Sequence, residues 1–335
     1  MERFVGTNCY FLAEEGAREA LGWEGYAGRV DEALSKCAAL GLKVVRAWAF
    51  NDDPSNPVAI QPRPGELSEA GLAGVDLALE AAARHGVQLI LSLGNFWEDY
   101  GGVPQYLRWH GLDPTDTDRF FIEPAVRGHY GDHIEALLRR VNPRTGLAWG
   151  DDPTVWGWEL MNEPRGGAAM GEWVAELGPR VRAAAPGGRL LTGGEGRDDG
   201  FVETLPLVDV ASIHLYPEEW EWDDVCEPGV HWIVDHADLA AAAGRPLLIG
   251  EFGLDNGGLP LSERRRIYRR WFEVAREHPA VVGVCSWSFS TDERPDDWDS
   301  FSWTWRDGTD AADDGNRYAA LHSEEAARWA ARSER

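Results

Sequence analysis

Cysteine is scarce in this 335-residue chain, and the four present, Cys9, Cys37, Cys226 and Cys285, show no CxxC spacing. That excludes a small disulfide scaffold and speaks against a structural zinc site. Positive charge is also short. Lys+Arg total 32 against 57 Asp+Glu, a net charge of −25, and only Lys36 and Lys43 among the cations are lysines. A surface of that sign repels phosphate backbones and anionic lipid, so no nucleic acid and no membrane is expected as a partner. No apolar run approaches the roughly 20 residues that a membrane-spanning helix needs. Met1-Glu2-Arg3-Phe4 leads straight into an apolar, β-branched stretch, without a charged n-region and an apolar h-region. That pattern lacks a signal peptide, so the expected location is cytoplasmic if the chain is complete and secreted if a leader has been trimmed away.

What the chain does have is core and tryptophan. A hydrophobic share of 44% supports a sizeable packed interior. The 17 Trp are many for this length. Some belong in a core, but a surplus of flat aromatic faces suits stacking against sugar rings. With the acidic balance, a neutral substrate fits best.

Short runs rich in Val, Ile and Leu alternate with longer amphipathic stretches. The runs are Phe4–Tyr10, Val44–Trp48, Gln88–Leu93, Val155–Leu160, Leu190–Gly193, Val208–Leu215, Leu247–Gly250 and Val281–Trp287. Their composition is that of strands buried on both faces. Helical patterns lie between them at Arg29–Leu40, Ser68–His85, Ala125–Val141, Gly171–Ala184, Val230–Ala243 and Ser262–Glu277, with Arg317–Arg332 closing the chain. Gly41 and Gly86 follow the first two as C-cap signals. No composition shift divides the chain. Eight βα units therefore predict an α/β fold, a single (β/α)8 TIM barrel over residues 1–335. A doubly wound sheet is the alternative, but Gly6-Thr7-Asn8-Cys9 after the first strand is not a dinucleotide fingerprint.

Chemistry in such a barrel sits at the C-terminal ends of the strands. There the sequence carries polar and aromatic residues: Arg46, Asn95 and Trp97, Asn162, Glu163 and Arg165, Glu195, His214 and Tyr216, Glu251, and Trp287. Glu163 ends the fourth strand and Glu251 the seventh, across the mouth from each other. Two carboxylates about 5–5.5 Å apart are the equipment of a retaining glycosidase. In this reading Glu163 is the acid/base, protonated in the free protein through partial burial and the charge of Glu251. Glu251 is the nucleophile, kept ionised by Arg46 and Tyr216. Asn162 is placed for a sugar 2-hydroxyl, His214 for tuning Glu163, and Trp287 for a sugar ring.

Trp158-Glu159-Leu160-Met161-Asn162-Glu163-Pro164-Arg165 and Ile249-Gly250-Glu251-Phe252-Gly253 resemble the acid/base and nucleophile motifs of glycoside hydrolase family 5 (clan A). Arg46-Ala47-Trp48-Ala49-Phe50-Asn51-Asp52, the Asn95–Gly102 segment and His214-Leu215-Tyr216-Pro217 make the chain most similar to the endo-β-1,4-mannanases of that family. The resemblance implies that Glu163 and Glu251 are catalytic. It implies that Arg46, Asn162, His214, Tyr216 and Trp287 surround the reacting sugar, and that Arg165 and Glu195 face the acceptor side. Asn95 and Trp97 join the sugar-binding set. Tyr100, Trp109, Trp220, Trp222, Trp298, Trp303 and Trp305 are looser candidates for outer subsites. Gly94-Asn95 stands where many family cellulases carry His, and Cys9 stands where mannanases commonly carry Asn.

The implied function is retaining cleavage of β-1,4-mannosidic bonds in mannan, glucomannan or manno-oligosaccharides. An exo-acting β-mannosidase and a β-1,4-glucanase are the alternatives, with a non-enzymatic carbohydrate-binding barrel as a reading from another class. The mechanism needs no cofactor and no metal. The acidic stretch Asp307–Asp314 lacks EF-hand spacing and reads as solvated carboxylates. A monomer acting on a neutral oligo- or polysaccharide is expected.

Overall fold

Every strand that enters the central sheet is short, apolar and buried, which leaves parallel pairing with helices on the outside as its way to satisfy both faces. In the computed structural model, which describes residues 1–197, 199–291, 300–305 and 314–333, those strands form an eight-stranded parallel sheet. They are β1 (Phe4–Asn8), β2 (Val44–Trp48), β3 (Gln88–Ser92), β4 (Val155–Glu159), β5 (Leu190–Leu191), β6 (Ala211–Leu215), β7 (Leu247–Phe252) and β8 (Val281–Ser286). The order β5-β4-β3-β2-β1-β8-β7-β6 wraps β1 against β8 and leaves one seam, between β5 and β6. Hydrogen bonds still cross the seam: Asp209 N donates to Leu190 O at 2.9 Å and His214 N to Glu195 O at 3.2 Å. The expected (β/α)8 barrel is therefore present.

The helices, in chain order, are α1 (Leu12–Ala20), α2 (Arg29–Ala39), α3 (Glu69–His85), α4 (Gly102–Trp109), α5 (Asp118–Ile122), α6 (Pro124–Leu138), α7 (Met170–Ala184), α8 (Phe201–Thr204), α9 (Cys226–Ala242), α10 (Leu261–Glu277) and α11 (Asp314–Ser333). A small parallel pair, β9 (Phe289–Ser290) and β10 (Trp303–Thr304), follows the barrel. Gly41 and Gly86 stop α2 and α3 in the left-handed region, as their positions predict. Helix α1 was not expected. It lies on α3 so closely that a Cβ on Gly74 would come within 1.8 Å of Ala13 O. Leu12, Ala13, Gly16 and Ala17 share the buried face at helical spacing, and the small residues Ala13, Gly16 and Gly74 allow the close approach. The fifth and sixth strands are shorter than expected: β5 stops before Gly193, which takes a left-handed φ of 82°, and ahead of β6 the Asp209 side chain accepts the Leu190 N–H at 2.9 Å in place of a ladder partner.

Inside the barrel the side chains are layered. Phe4, Val44, Ile90, Trp156, Leu191, Val210, Leu248, Val282 and Cys285 form a small buried cluster separate from the large core between sheet and helices. Most sit near the N-terminal ends of their strands, so they plug the lower barrel. The Phe4 ring lies where a Cβ on Gly283 would be, 2.3 Å from its nearest ring atom, and meets Trp156 edge-on at 5.1 Å. Above this dry plug the interior turns polar, and the functional residues begin. No helix among the described residues is long and apolar enough to cross a membrane.

Candidate active site

The deepest polar residue is Arg46, in the middle of β2 and fully buried. An unpaired guanidinium there would cost several kcal/mol in lost hydration, so the surrounding strands must supply acceptors. They do. Arg46 Nε donates to Glu159 Oε1 and Oε2 at 3.0 and 2.8 Å, Nη1 to Asn8 Oδ1 at 3.0 Å, and Nη2 to Asn162 Oδ1 at 2.8 Å. Nη1 also reaches Glu251 Oε1 at 2.5 Å. Ser92 donates to Glu159 from the next strand. The carboxylates Glu159 and Glu251 hold Arg46 firmly protonated against the pull of burial.

Glu251, on β7, takes a second bond from Tyr216 Oη at 2.6 Å. Glu163 follows β4 with φ at 50°, a left-handed value that costs a non-glycine residue strain and is found at functional sites. Strand-end bonds hold this turn: Asn162 N to Gly94 O at 2.8 Å and Glu163 N to Gly193 O at 3.0 Å. Both Glu163 oxygens are engaged. His214 Nδ1 lies 2.7 Å from Oε1, and Trp97 Nε1 donates to Oε2 at 2.6 Å. His214 Nδ1 is also 3.6 Å from Glu251 Oε2. One oxygen of each carboxylate and a ring nitrogen of His214 all lie within 4.8 Å of one another.

These three residues have the spacing of a cation donor set, but their lone pairs are committed. Glu163 accepts from Trp97 and His214, and Glu251 accepts from Arg46 and Tyr216, so a cation would have to displace the Arg46 charge. The arrangement suits proton and nucleophile chemistry. The acidic stretch 307–313 and Trp298 lie outside the described residues.

The protonation pattern of the empty cleft is a correction to the sequence reading. Burial pushes Glu163 up, but the hydrogen bond and charge of His214, with Trp97 and Arg165, bring its carboxyl below the usual range. Burial, aided by the charge of Glu163, raises Glu251 against His214, Arg46 and Tyr216. The Glu251 and Glu163 carboxylates raise His214 against its burial. The two carboxyls are thus shifted opposite to the expected directions.

A cleft of about 500 Å³ opens above this floor. Its walls include Trp48, Asn95, Trp97, Asn162, Arg165, Glu195, Arg197, Tyr216, Trp220, Trp287 and Phe301. Trp287 lies flat against Tyr10, with ring centres 5.3 Å apart and planes at 14°, and tilts against Trp48 at 5.9 Å. Its face is fixed before any ligand arrives. The Trp287–Ser288 peptide is cis. On the β3–β6 side Arg165 bonds Glu195 at 2.6 Å and lies 4.7 Å from the Trp97 ring centre, while Arg197 lies 4.9 Å from that of Trp220. Burial raises the Glu195 carboxyl to about 7, with the charge of Glu163 adding and Arg165 opposing.

The structure thus brings Glu163, Glu251, Asn95, Asn162, Arg165, Glu195, Tyr216, Trp97 and Trp287 to one cleft. Arg46 and His214 lie elsewhere than expected. Both are wholly buried beneath the carboxylates and touch protein atoms, because interior positions on β2 and β6 point below the cleft. Asn95 lines the wall, yet its amide is spent on Asn162 Nδ2 at 3.0 Å and on the Asp99 carbonyl at 3.0 Å. Cys9 is fully buried in the core and lines nothing. Among the looser candidates that fall in the described residues, only Trp220 lines the cleft. Trp303 is core, stacked on His322 at 4.3 Å. Trp109 packs on Tyr106 and His129, and Tyr100 holds Glu14 through a 2.6 Å bond. Sequence reasoning missed Asn8, Ser92 and Glu159. Glu159 had a signal: it is the one charge in an otherwise apolar strand, and a charge inside a barrel must have a partner.

Residues 4–318 match the family model described as GH family 5 beta-mannosidase-like. Mannan endo-1,4-beta-mannosidase 3 of Oryza sativa subsp. japonica is 37% identical over 75% of this chain and 59% of its own length. A second rice protein, mannan endo-1,4-beta-mannosidase 4, is covered over 60%, so the chain spans about three fifths of these two relatives. Mannan endo-1,4-beta-mannosidase 1 of Arabidopsis thaliana is 32% identical over 85% of this chain and 77% of its own. The endo-beta-1,4-mannanase of Thermotoga petrophila superposes with a TM-score of 0.85 at 26% identity, over 98% of this chain and 77% of that one. The endo-1,4-beta-mannanase of Rhizomucor miehei gives 0.83 at 26% identity, over 98% and 95%. With the barrel, the carboxylate pair and these likenesses together, the chain belongs to glycoside hydrolase family 5, among its beta-mannosidase-like members.

Proposed function

We propose that the protein hydrolyses β-1,4-mannosidic bonds in mannan or manno-oligosaccharides with retention of configuration. The observation that carries this reading is the closeness of Glu163 and Glu251, whose nearest oxygens fall within 4.8 Å. Inverting enzymes hold their carboxyls about 6.5–9.5 Å apart to seat a water between acid and base; retaining ones hold them near 5–5.5 Å. The names of the relatives support mannan as the polymer.

Glu251 attacks the anomeric carbon while Glu163 gives its proton to the leaving glycosidic oxygen. The C–O bond breaks and a glycosyl ester on Glu251 remains. Water then attacks the same carbon, Glu163 takes its proton, and the Glu251 ester bond breaks. Arg46 and Tyr216 fix the Glu251 oxygens and stabilise the carboxylate each time it leaves. Asn162 has a second amide N–H for the sugar 2-hydroxyl, an interaction that strengthens as the ring flattens. Trp287 bears the sugar ring on its fixed face.

Mannose carries its 2-hydroxyl axial, and a site built for that position penalises the epimer by leaving buried polar groups unpaired. Mannotetraose is therefore expected to be cleaved at least about 100-fold faster than cellotetraose in kcat/KM. Parity would contradict the mannan reading. Product profiles from mannohexaose separate internal from terminal cleavage, and no turnover of any sugar would leave a binding barrel.

A further inference from the structure

Glu163 must present a proton to a leaving oxygen, yet in the empty cleft neither of its oxygens is free to do so. Oε1 is committed to His214 Nδ1 at 2.7 Å, on the wholly buried side. Oε2 is the oxygen facing the cleft, and the Trp97 indole N–H lies on it at 2.6 Å. An indole nitrogen only donates. Donation to a carboxylate is charge-assisted and favours the ionised form over the acid. His214 holds Oε1 from the floor and contributes most, but Trp97 is the donor on the second oxygen, and it too favours the ionised form over the acid Glu163 must become.

The rest of the rim shows how this contact is held and why it can yield. Trp97 follows Asn95 and Phe96, which are tied to β4's end by the Phe96 N to Asn162 O bond at 3.0 Å. Behind it, Asp52 N holds Tyr100 O at 2.7 Å and Val103 N holds Asn95 O at 2.9 Å. The loop is anchored at both ends, and Trp97 lies between the anchors. Trp97 is 37% exposed, far more than Glu163, which it touches, at 9%. Arg165 lies over its ring and is steadied by Glu195. The side chain therefore stands in the cleft on the side where the departing sugar must lie, held by contacts that open to solvent.

We propose that Trp97 is a positioning residue that latches the acid/base. In the empty cleft its N–H occupies Glu163 Oε2. A sugar entering the acceptor side displaces that N–H, and Oε2 then takes a proton from solvent and carries it to the leaving oxygen. The protons balance over the cycle: solvent supplies one to Glu163 as the sugar enters, Glu163 gives it to the leaving oxygen, regains one from the attacking water, and returns that one to solvent when the N–H contact re-forms, while His214 keeps its bond to Oε1. The substrate thereby arms the acid. This deepens the hydrolase reading and rests on it.

Glu163 is faced by His214 from β6, Glu251 from β7 and Arg46 from β2, with Glu195 on the loop after β5 and Arg165 on its own loop. Each is common to the intact protein and to a Trp97→Phe variant, which keeps the ring and removes only the N–H. Both proteins are labelled with 13C at the glutamate side-chain carboxyl, and the Glu163 resonance is assigned by its absence in Glu163→Gln. The titration midpoint of Glu163 is then read with and without saturating mannotriose. Trp97→Phe is expected to raise the midpoint in the empty cleft by about one pH unit. Mannotriose is expected to raise it by a similar amount in the intact protein and by much less in the variant. A variant midpoint within about 0.2 unit of the intact protein, or an equal sugar-induced rise in both, would overturn the latch and leave Trp97 a sugar platform. A Trp97→Ala protein, titrated alongside, must follow Trp97→Phe; a shift in only one would trace the effect to packing and also count against the latch. If mannotriose moves nothing in either protein while the empty-cleft shift is present, and mannotetraose is not cleaved, the mannan reading fails and the N–H contact stands.

Discussion

The floor of the cleft and its β3–β6 rim both pair arginine with glutamate, under different solvation. On the floor, the Arg46 and Glu159 side chains are fully buried, and every named partner comes from a strand or strand end. On the rim, the Arg165 side chain keeps 30% of its surface in solvent, and its partners Glu195 and Trp97 come from loops. Buried charge demands complete pairing and tolerates no rearrangement. On the rim only the Arg165 end opens to solvent; the Glu195 side chain is 3% exposed, but its carboxyl is raised to about 7 by burial and can take a proton when Arg165 swings away. The floor can therefore hold a nucleophile at fixed geometry while the rim moves as sugars arrive and leave.

The largest effects belong to the two carboxylates that meet where floor and rim join. Glu251→Ala is expected to lower kcat on mannotetraose by about 10⁴-fold or more, since the glycosyl ester cannot form. Glu163→Gln should lower it by about 10²–10⁴-fold while leaving sugar binding largely intact. A variant of either residue with near-native turnover would remove the assignment. The next contrast separates the two regions. Glu159→Ala leaves Arg46 buried and short of an anion, so chemical denaturation should report a loss of about 3–5 kcal/mol. Arg165→Ala leaves Glu195 buried but able to take a proton, its carboxyl already raised to about 7, so it should cost less, about 1–2 kcal/mol in the same experiment, and act mainly on KM for longer oligosaccharides. Equal stability losses would erase the distinction.

How far this division was legible in the sequence follows from the same physics. Strand ends in a (β/α)8 barrel converge by geometry, so Glu163, Glu251, Tyr216 and Trp287 were found from their places after apolar runs. Inside the strands the reading was weaker. Arg46 is legible as the partner of Glu251, which it is, but not as a residue out of the sugar's reach, because periodicity tells which face a residue takes and not how deep it lies. Glu159 and Asn8 supply its partners, and neither was chosen. The rim was least legible. Trp97 was read as a sugar contact because its indole–carboxylate bond depends on a loop path anchored by Asp52 and Asn162, contacts that no local pattern encodes. The directions of the two carboxyl shifts have the same root: they depend on which donor reaches which oxygen.

A smaller effect sharpens the contrast beneath the rim. Asp52, which anchors the Trp97 loop, is fully buried, and burial raises its carboxyl to about 7 despite a hydrogen bond from Gln61. His133, 3.9 Å away, is pushed down to about 3 by burial and then by the charge of His129. A carboxyl raised on folding favours the folded state fully below its ordinary value of 3.8, and that contribution is lost as pH climbs through about 7. Asp52→Asn, which keeps an acceptor for Gln61, should therefore gain about 1 kcal/mol or more over the native protein between pH 5 and pH 8. Parallel stability curves for the two proteins would show that Asp52 does not titrate in that window.

The claim on which the rest depends is that Glu163 and Glu251 act as a retaining pair. Proton NMR of mannotetraose during the first minutes of hydrolysis reads it directly, through the anomeric signal of the newly formed reducing end. The β-anomer is expected first, with the α-anomer growing in only by slow mutarotation. An α-anomer appearing first would mean single-step inversion, and would contradict a nucleophilic role for Glu251 despite its closeness to Glu163.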